Sequence, residues 1–310
     1  MSFLTVCLNP TLQKTLYFPF ITHGIVNRTA DHRLEVSGKG INVTRVLTQL
    51  GKKALHLTQL GGEMKPLFLS LCEQDGLSVE WAESNSQIRF CYTLLTGNDS
   101  GVTELVEESE PVSAGTEERL LEKFNALLQG AGLQGAVSYL IISGTKAAGF
   151  SDTVIPKMVC KAKEKGLFVI LDIKGNDLIE SLKFEPDIIK PNLEEFAMSF
   201  NLDSNSPQIN SNLQELVLDL SHKHKCRIIL TNGIKPIIVA DKNNFYEFNI
   251  HPALPPQKIV PINTTGCGDA FTAGLAAALE DGADFNTAIS EGIRCGALNA
   301  GFVKPGVIAG

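Results

Sequence analysis

The chain has 310 residues, 44% hydrophobic and 20% charged, with a formal net charge of −7. That suits one large α/β domain with a small appendage, and the absence of a basic block argues against a nucleic-acid partner. No apolar run reaches membrane-span length, the start lacks a signal peptide's charged region, and the 7 cysteines are scattered without a Cys-x-x-Cys pair, so a reduced, cytoplasmic protein is expected.

Phe3 to Leu8 is an apolar run ended by Asn9-Pro10 and reads as a buried strand. Leu16 to Phe20 and Arg28 to Val36 alternate polar and apolar residues. Strands with one wet face belong to a small sheet rather than to a doubly covered parallel core. Gly38-Lys39-Gly40 is a turn opening a helix, whose residues Ile41, Val43, Val46, Leu47 and Leu50 share one face before Gly51 stops it. Leu55 to Leu60 is a strand, Pro66 to Gln74 a helix, and Ser78 to Ala82 a strand. Arg89 to Leu95 and Val102 to Val106 read as a hairpin turning at Gly97 to Gly101. With the N-terminal alternating strands it makes a discontinuous lid, from about 10–36 and 88–107.

From a helix at Ala114 to Gln129 onward, strands and helices alternate as in a doubly wound fold. Strands are expected at Tyr139–Ser143, Leu167–Asp172, Ile188–Lys190, Arg227–Thr231, Ile237–Asp241 and Phe245–Ile250. Helices are expected at Asp152–Lys165 and Asn212–Lys223, with a surface loop at Asn201–Asn212. Asn192 and Glu195, three apart after Pro191, form an N-cap with a capping-box acid.

Near the end, Asn263-Thr264-Thr265-Gly266-Cys267-Gly268-Asp269 leads into the small-residue helix pattern Ala270 to Leu279. Two glycines let backbone amides converge, and the helix start aims unpaired N–H groups at the turn, which makes an anion site. Asp269 inside it is either a helix-start acid or a base for a hydroxyl attacking a phosphate. The segment is not a P-loop, nor a dinucleotide fingerprint, since Phe271 stands at the third glycine. Cys267 reads as a small residue filling the turn, or as a thiol activated by the helix start.

Thr264-Thr265-Gly266-Cys267-Gly268-Asp269 resembles the C-terminal signature of the ribokinase-like (PfkB) sugar kinases. Gly38-Lys39-Gly40-Ile41-Asn42 resembles their other signature. Leu8-Asn9-Pro10, Arg45-Val46-Leu47 and Lys190-Pro191-Asn192-Leu193-Glu194-Glu195 are most similar to the 1-phosphofructokinase and tagatose-6-phosphate kinase group. The resemblance implies one ribokinase-like domain over 1–310, a three-layer α/β/α sandwich with a mostly parallel central sheet and a small β-sheet lid. It implies phosphorylation of tagatose 6-phosphate or fructose 1-phosphate by ATP with Mg²⁺.

Carried over residue by residue, Asp269 is the base, and Gly266, Cys267 and Gly268 hold the transferring group. Gln13, Gly38, Lys39, Asn42 and Arg89 face the sugar phosphate, with Gly61-Gly62 nearby. Lys190, Asn192, Thr231, Gly233, Thr265 and Asn299 surround ATP, while Asn192 and Glu195 hold Mg²⁺ through water. Arg89 is otherwise a solvated edge charge, and Asn299 a helix-surface amide. Three departures concern the sugar: Gln13 for an Asp, Cys91 for an Asn, and Lys146, which either contacts phosphate or is solvated. A kinase of an unphosphorylated sugar or nucleoside, and a non-catalytic sugar-responsive regulator, share the fold; a Rossmann-type oxidoreductase fits worst, since Asn9-Pro10 ends the first strand. Paired lids would make a homodimer.

Overall fold

Strand β1 (Ser2–Leu8) is apolar on both faces, and this sets the architecture. Leu4, Val6 and Leu8 point to one core and Phe3 to another, the period-2 alternation of a strand covered on both sides. The computed structural model describes residues 2–97, 102–130, 136–202, 209–242, 244–250 and 259–309. Six parallel strands flank β1: β4 (Ala54–Leu60) and β5 (Ser78–Glu83) on one side, β8 (Val137–Lys146), β9 (Phe168–Asp172), β10 (Ile188–Ile189) and β11 (Arg227–Leu230) on the other. The antiparallel β12 (Ile237–Asp241) and β13 (Asn244–Phe248) extend the edge beyond β11.

Helices cover both faces. On one lie α3 (Thr116–Leu128), α4 (Val154–Glu164), α5 (Gly175–Ser181), α6 (Leu193–Ser199) and α7 (Ile209–His224). On the other lie α1 (Lys39–Gln49), α8 (Cys267–Glu280) and α9 (Phe285–Ala300). This is the expected ribokinase-like sandwich. The remaining helix, α2 (Lys65–Gln74), packs Phe68 and Cys72 against Leu12, Val36, Ile41 and Leu60, under the lid.

The lid is a separate sheet in the order β3 (His32–Ser37), β2 (Thr11–Phe18), β6 (Arg89–Thr96), β7 (Val102–Val106). Strand β2 begins at Thr11, earlier than the alternation from Leu16 indicated, because Thr11, Gln13 and Thr15 are buried polar residues. Strand β3 begins only at His32. The expected hairpin turn, the Asn201–Asn212 loop and the Asn243 turn lie partly outside the described residues. Helix α5 has no counterpart in the sequence reading, since Gly175-Asn176-Asp177 hides its start.

Candidate active site

Two glycine turns face each other below the lid. Gly38 (φ 114°) precedes α1 and Gly266 (φ 84°) precedes α8, backbone conformations that favour glycine. Neither helix has a side-chain cap. Among the described residues no carbonyl takes the N–H of Gly268 or Asp269, so the start of α8 offers bare donors and the positive end of its dipole. A Cβ on Gly266 would lie 2.9 Å from the Pro305 side chain, so the C-terminal turn closes on this loop from behind.

Asp269 is buried, and its Oδ2 accepts a hydrogen bond from Asn42 Nδ2 at 2.8 Å. Burial pushes its pKa up to about 6, and repulsion from Asp172 adds to that, against the pull of Lys39, Asn42 and Lys190. Asp172, at the end of β9, is held below the usual carboxylate range. Burial opposes its charge, but Lys190 (3.4 Å), Lys39 (3.6 Å) and the Ser143 hydroxyl outweigh it. Lys39 donates to Glu195 Oε1 at 3.1 Å. Its burial opposes the charge, yet Asp172, Glu195 and Asp269 raise its pKa well above the ordinary value. The site thus holds two carboxylates pushed in opposite directions, one near neutrality and one firmly ionised, the pattern that separates a base from a charge stabiliser.

The far wall comes from the ends of β10 and β11. Asn192 pairs with Thr231 in an isolated parallel bridge. Asn192 and Glu195 make the expected capping box, with Glu195 N donating to Asn192 Oδ1 at 2.7 Å and Asn192 N to Glu195 Oε2 at 3.1 Å. Gly233 (φ 59°) turns the chain after β11 and does not reach the cleft wall.

The lid supplies the roof. Register places Thr15, Thr93 and Glu104 in one row across β2, β6 and β7, and Gln13, Cys91 and Val106 in the next, with Thr11 and Arg89 on the same face. Gln13 Nε2 donates to Thr93 Oγ1 at 2.5 Å. Arg89 Nη1 donates to the Glu107 carbonyl at 3.0 Å, while its Nε is buried without a partner. The open cleft below the lid measures about 490 Å³ and is lined by Gln13, Gly38, Lys39, Asn42, Arg89, Lys190, Asn192, Glu195, Thr231, Thr265, Gly266, Gly268 and Asp269, among others. Its size falls in the range of small-molecule sites.

The sequence is matched over residues 13–305 by the family described as pfkB family carbohydrate kinase. The chain belongs to that family. It is a carbohydrate kinase. Among solved structures it is similar to phosphofructokinase-2 from Escherichia coli in complex with substrates and products, at 20% identity and a TM-score of 0.83, over 97% of this chain and 93% of that one. A possible 1-phosphofructokinase from Thermotoga maritima matches at 19% identity and 0.82, over 97% and 92%. Arabidopsis thaliana ribokinase complexed with ribose and ATP matches at 16% and 0.67, over 98% and 94%. At such identities the likeness is one of fold.

Most residues matching the pfkB signatures therefore converge; Gly233 does not, three further readings need correction, and the Cys267 alternatives resolve to the turn-filling one. Asn299 is neither on the helix surface nor on the cleft wall. It is fully buried, donating to Thr265 O (3.0 Å) and the Cys267 sulfur (3.5 Å) and accepting from Gly306 N (2.6 Å), so its amide ties the glycine turn to the C-terminal turn. Cys267 is not activated: burial pushes its thiol up to about 11 despite the Asn299 bond. Lys146 is neither solvated nor free, since Asp177 (2.5 Å) and Asp152 (3.2 Å) neutralise it. Gly61-Gly62 packs on Ser84 and Gln87, away from the cleft wall.

Sequence reasoning missed Asp172 and Glu104. Asp172 was findable, as an acid ending an apolar strand on the edge where such sheets bind ligands. Glu104 carried no signal beyond alternation in a hairpin strand.

Proposed function

We propose that this carbohydrate kinase transfers the γ-phosphoryl group of ATP to a hydroxyl of a phosphorylated ketohexose, tagatose 6-phosphate or fructose 1-phosphate, giving the bisphosphate and ADP. The observation carrying the proposal is Asp269, a buried carboxylate with its pKa raised to about 6, beside the bare amides that start α8. The attacking hydroxyl gives its proton to Asp269 as its oxygen bonds to phosphorus and the bond to the β-phosphate oxygen breaks. The amides of Gly266 to Gly268 and the Lys39 and Lys190 ammonium groups meet the charge that builds on the transferring oxygens. Lys39 and Asn42 hold the sugar, and Arg89 forks its existing phosphate from the lid. Thr231 and Thr265 lie on the nucleotide side.

The donors present fit Mg²⁺. Asp172 Oδ1 is buried without a hydrogen-bond partner, and Glu195 and Asn192 add oxygens. Mg²⁺ is held largely by water and phosphate, so few direct protein ligands are needed. Asn192 and Glu195 would hold its waters, and the ion when bound neutralises phosphate charge.

The lid's outer face carries half-buried Leu16, Leu34, Phe90, Tyr92 and Leu94 beside Leu105, which is 53% exposed. Two lids pairing through this face would make a homodimer, and sedimentation of a Leu105→Asp variant as a monomer would support it. Among the described residues no helix is long and apolar enough to cross a membrane.

The deciding experiment is ADP release with Mg-ATP against tagatose 6-phosphate, fructose 1-phosphate, fructose 6-phosphate and the free sugars. Turnover confined to one ketohexose phosphate is expected. Turnover only with free sugars would move the protein to another branch of the family, and sugar binding without turnover would make it a regulator.

A further inference from the structure

Arg45 lies on α1 three residues beyond Asn42 and is 5% exposed. A guanidinium carries five N–H donors and no acceptor. Here every donor has a partner. Nη1 bonds Asn42 Oδ1 at 3.0 Å and the Pro305 carbonyl at 2.8 Å. Nη2 bonds the Val36 carbonyl at 2.7 Å and Asp75 Oδ2 at 2.9 Å, and Nε bonds the same Asp75 oxygen at 3.1 Å. Asp75 is pinned in turn by Lys304 at 2.5 Å.

This arrangement decides which way the Asn42 amide points. A donor-only neighbour requires the carbonyl oxygen of Asn42 to face Arg45. The amide NH₂ is then left for Asp269 Oδ2. Reversing the amide would set NH₂ against guanidinium and carbonyl against carboxylate, losing both bonds. With Oδ2 occupied, Oδ1 of Asp269 is the oxygen left to receive a proton. Arg45 itself is not on the cleft wall.

We infer that Arg45 is a positioning residue for phosphoryl transfer: it fixes the orientation of the Asn42 amide and thereby holds Asp269 as a base. The inference rests on Asp269 having that role. It also explains why the C-terminal turn is bound so closely. Pro305 accepts from Arg45, Gly306 donates to Asn299, and Asn299 donates to Thr265 of the glycine turn, closing a ring around the base. The charged and titratable groups facing Asp269 are Lys39 of α1, Asp172 of β9, Lys190 beyond β10, Cys267 on its own helix and Cys7 of β1. Arg45 is not among them, so its influence passes through Asn42.

The test is a titration of the Asp269 carboxyl in the free enzyme, by ¹³C NMR with labelled aspartate, the resonance assigned by its loss in Asp269→Asn. The Asn42 bond favours the charged form, so its loss in Arg45→Lys raises the Asp269 pKa, by about one unit. The acid limb of kcat/KM, which reports the free enzyme, moves up equally with Mg-ATP and the preferred ketohexose phosphate. Should Arg45→Lys fail to fold, Asp75→Asn keeps the guanidinium but frees its far side, and a smaller upward shift is expected. Gln49→Ala is the structural control. Gln49 also ties α1 to the C-terminal turn, donating to Gly306 O at 2.7 Å, but touches neither Asn42 nor Asp269. It lowers the melting temperature and leaves the titration in place. An unmoved titration in the folded Arg45 or Asp75 variant overturns the inference. Near-normal turnover of Asp269→Asn overturns the base assignment, and with it the catalytic meaning of Arg45.

Discussion

Glu104 of the lid strand β7 accepts a hydrogen bond from the Thr265 hydroxyl at 2.9 Å, joining the lid to the turn that leads into Asp269. The contact spans 161 residues of sequence. It also puts a carboxylate on the wall of a cleft that is read as receiving a triphosphate. Like charges in such a cleft oppose binding, and the opposition is screened by salt. Glu104→Gln keeps an acceptor for Thr265 and removes the charge. The KM for ATP should fall about threefold to tenfold at low ionic strength, as removal of roughly 1 kcal/mol of repulsion requires. Initial rates at two salt concentrations measure it. A raised sugar KM with unchanged ATP KM would instead make Glu104 a sugar ligand.

Asp269→Asn should bind sugar phosphate and ATP but turn over at least about 10²-fold slower, the lower end of general-base contributions. Stability should move the other way. The folded carboxyl has its pKa raised from 3.8 to about 6, so the native state holds more protons than the unfolded chain between those values. Native stability is therefore lost as pH rises from about 4 to 6. The cost above pH 6 is on the order of 3 kcal/mol. The Asn variant escapes it, so it should melt higher than the parent at pH 8 and lose that advantage below pH 4. Thermal melts across that range decide the matter. Equal melting temperatures at pH 8 would place Asp269 in a better-solvated setting than its burial indicates.

Arg89 has one guanidinium nitrogen on the Glu107 carbonyl and a buried Nε without a partner. A fork left incomplete at the cleft is suited to an anion the cleft receives. Arg89→Ala should raise the KM for the ketohexose phosphate about 10-fold to 100-fold, the worth of a charge-assisted bond of roughly 1.5–3 kcal/mol. The KM for ATP should hardly change. Equal KM for the sugar phosphate in both proteins would return Arg89 to a structural role at the edge of β6.

The glycine turns were legible because they need particular residues. Only glycine accommodates φ near 114° at position 38, and the Pro305 side chain leaves no room for a Cβ at position 266. The large sheet was legible because strands covered on both sides are continuous apolar runs. The start of the lid was not. Thr11, Gln13 and Thr15 are buried polar residues, the first two facing the cleft, and a period-2 search for apolar positions passes over them. The inner shell was the least legible. Asn299 and Arg45 act through distant partners, and no local pattern distinguishes a surface amide from one that bonds residues 34 positions away.

Lys190 and Asp172 test whether that inner shell is held by charge. Both side chains are 2% exposed, with Lys190 Nζ 3.4 Å from Asp172 Oδ2 and 5.8 Å from the Phe271 ring centre. Removing one member of such a pair strands the other. Lys190→Met should cost roughly 3–5 kcal/mol in urea unfolding, less whatever Lys39 recovers as the remaining cation near Asp172. Lys190→Met with Asp172→Asn should cost less than the sum of the single changes, because the double variant leaves no unpaired carboxylate behind. The pH dependence has the opposite sign to that of Asp269. The Asp172 pKa is lowered on folding, so its contribution is present above the unfolded carboxylate range and is lost as pH falls through the folded value. Lys190→Met should flatten that acid loss, since burial is then less opposed. Strictly additive costs would show that the two groups are placed by the backbone independently, and that the ion pair is a consequence of the site rather than one of its supports.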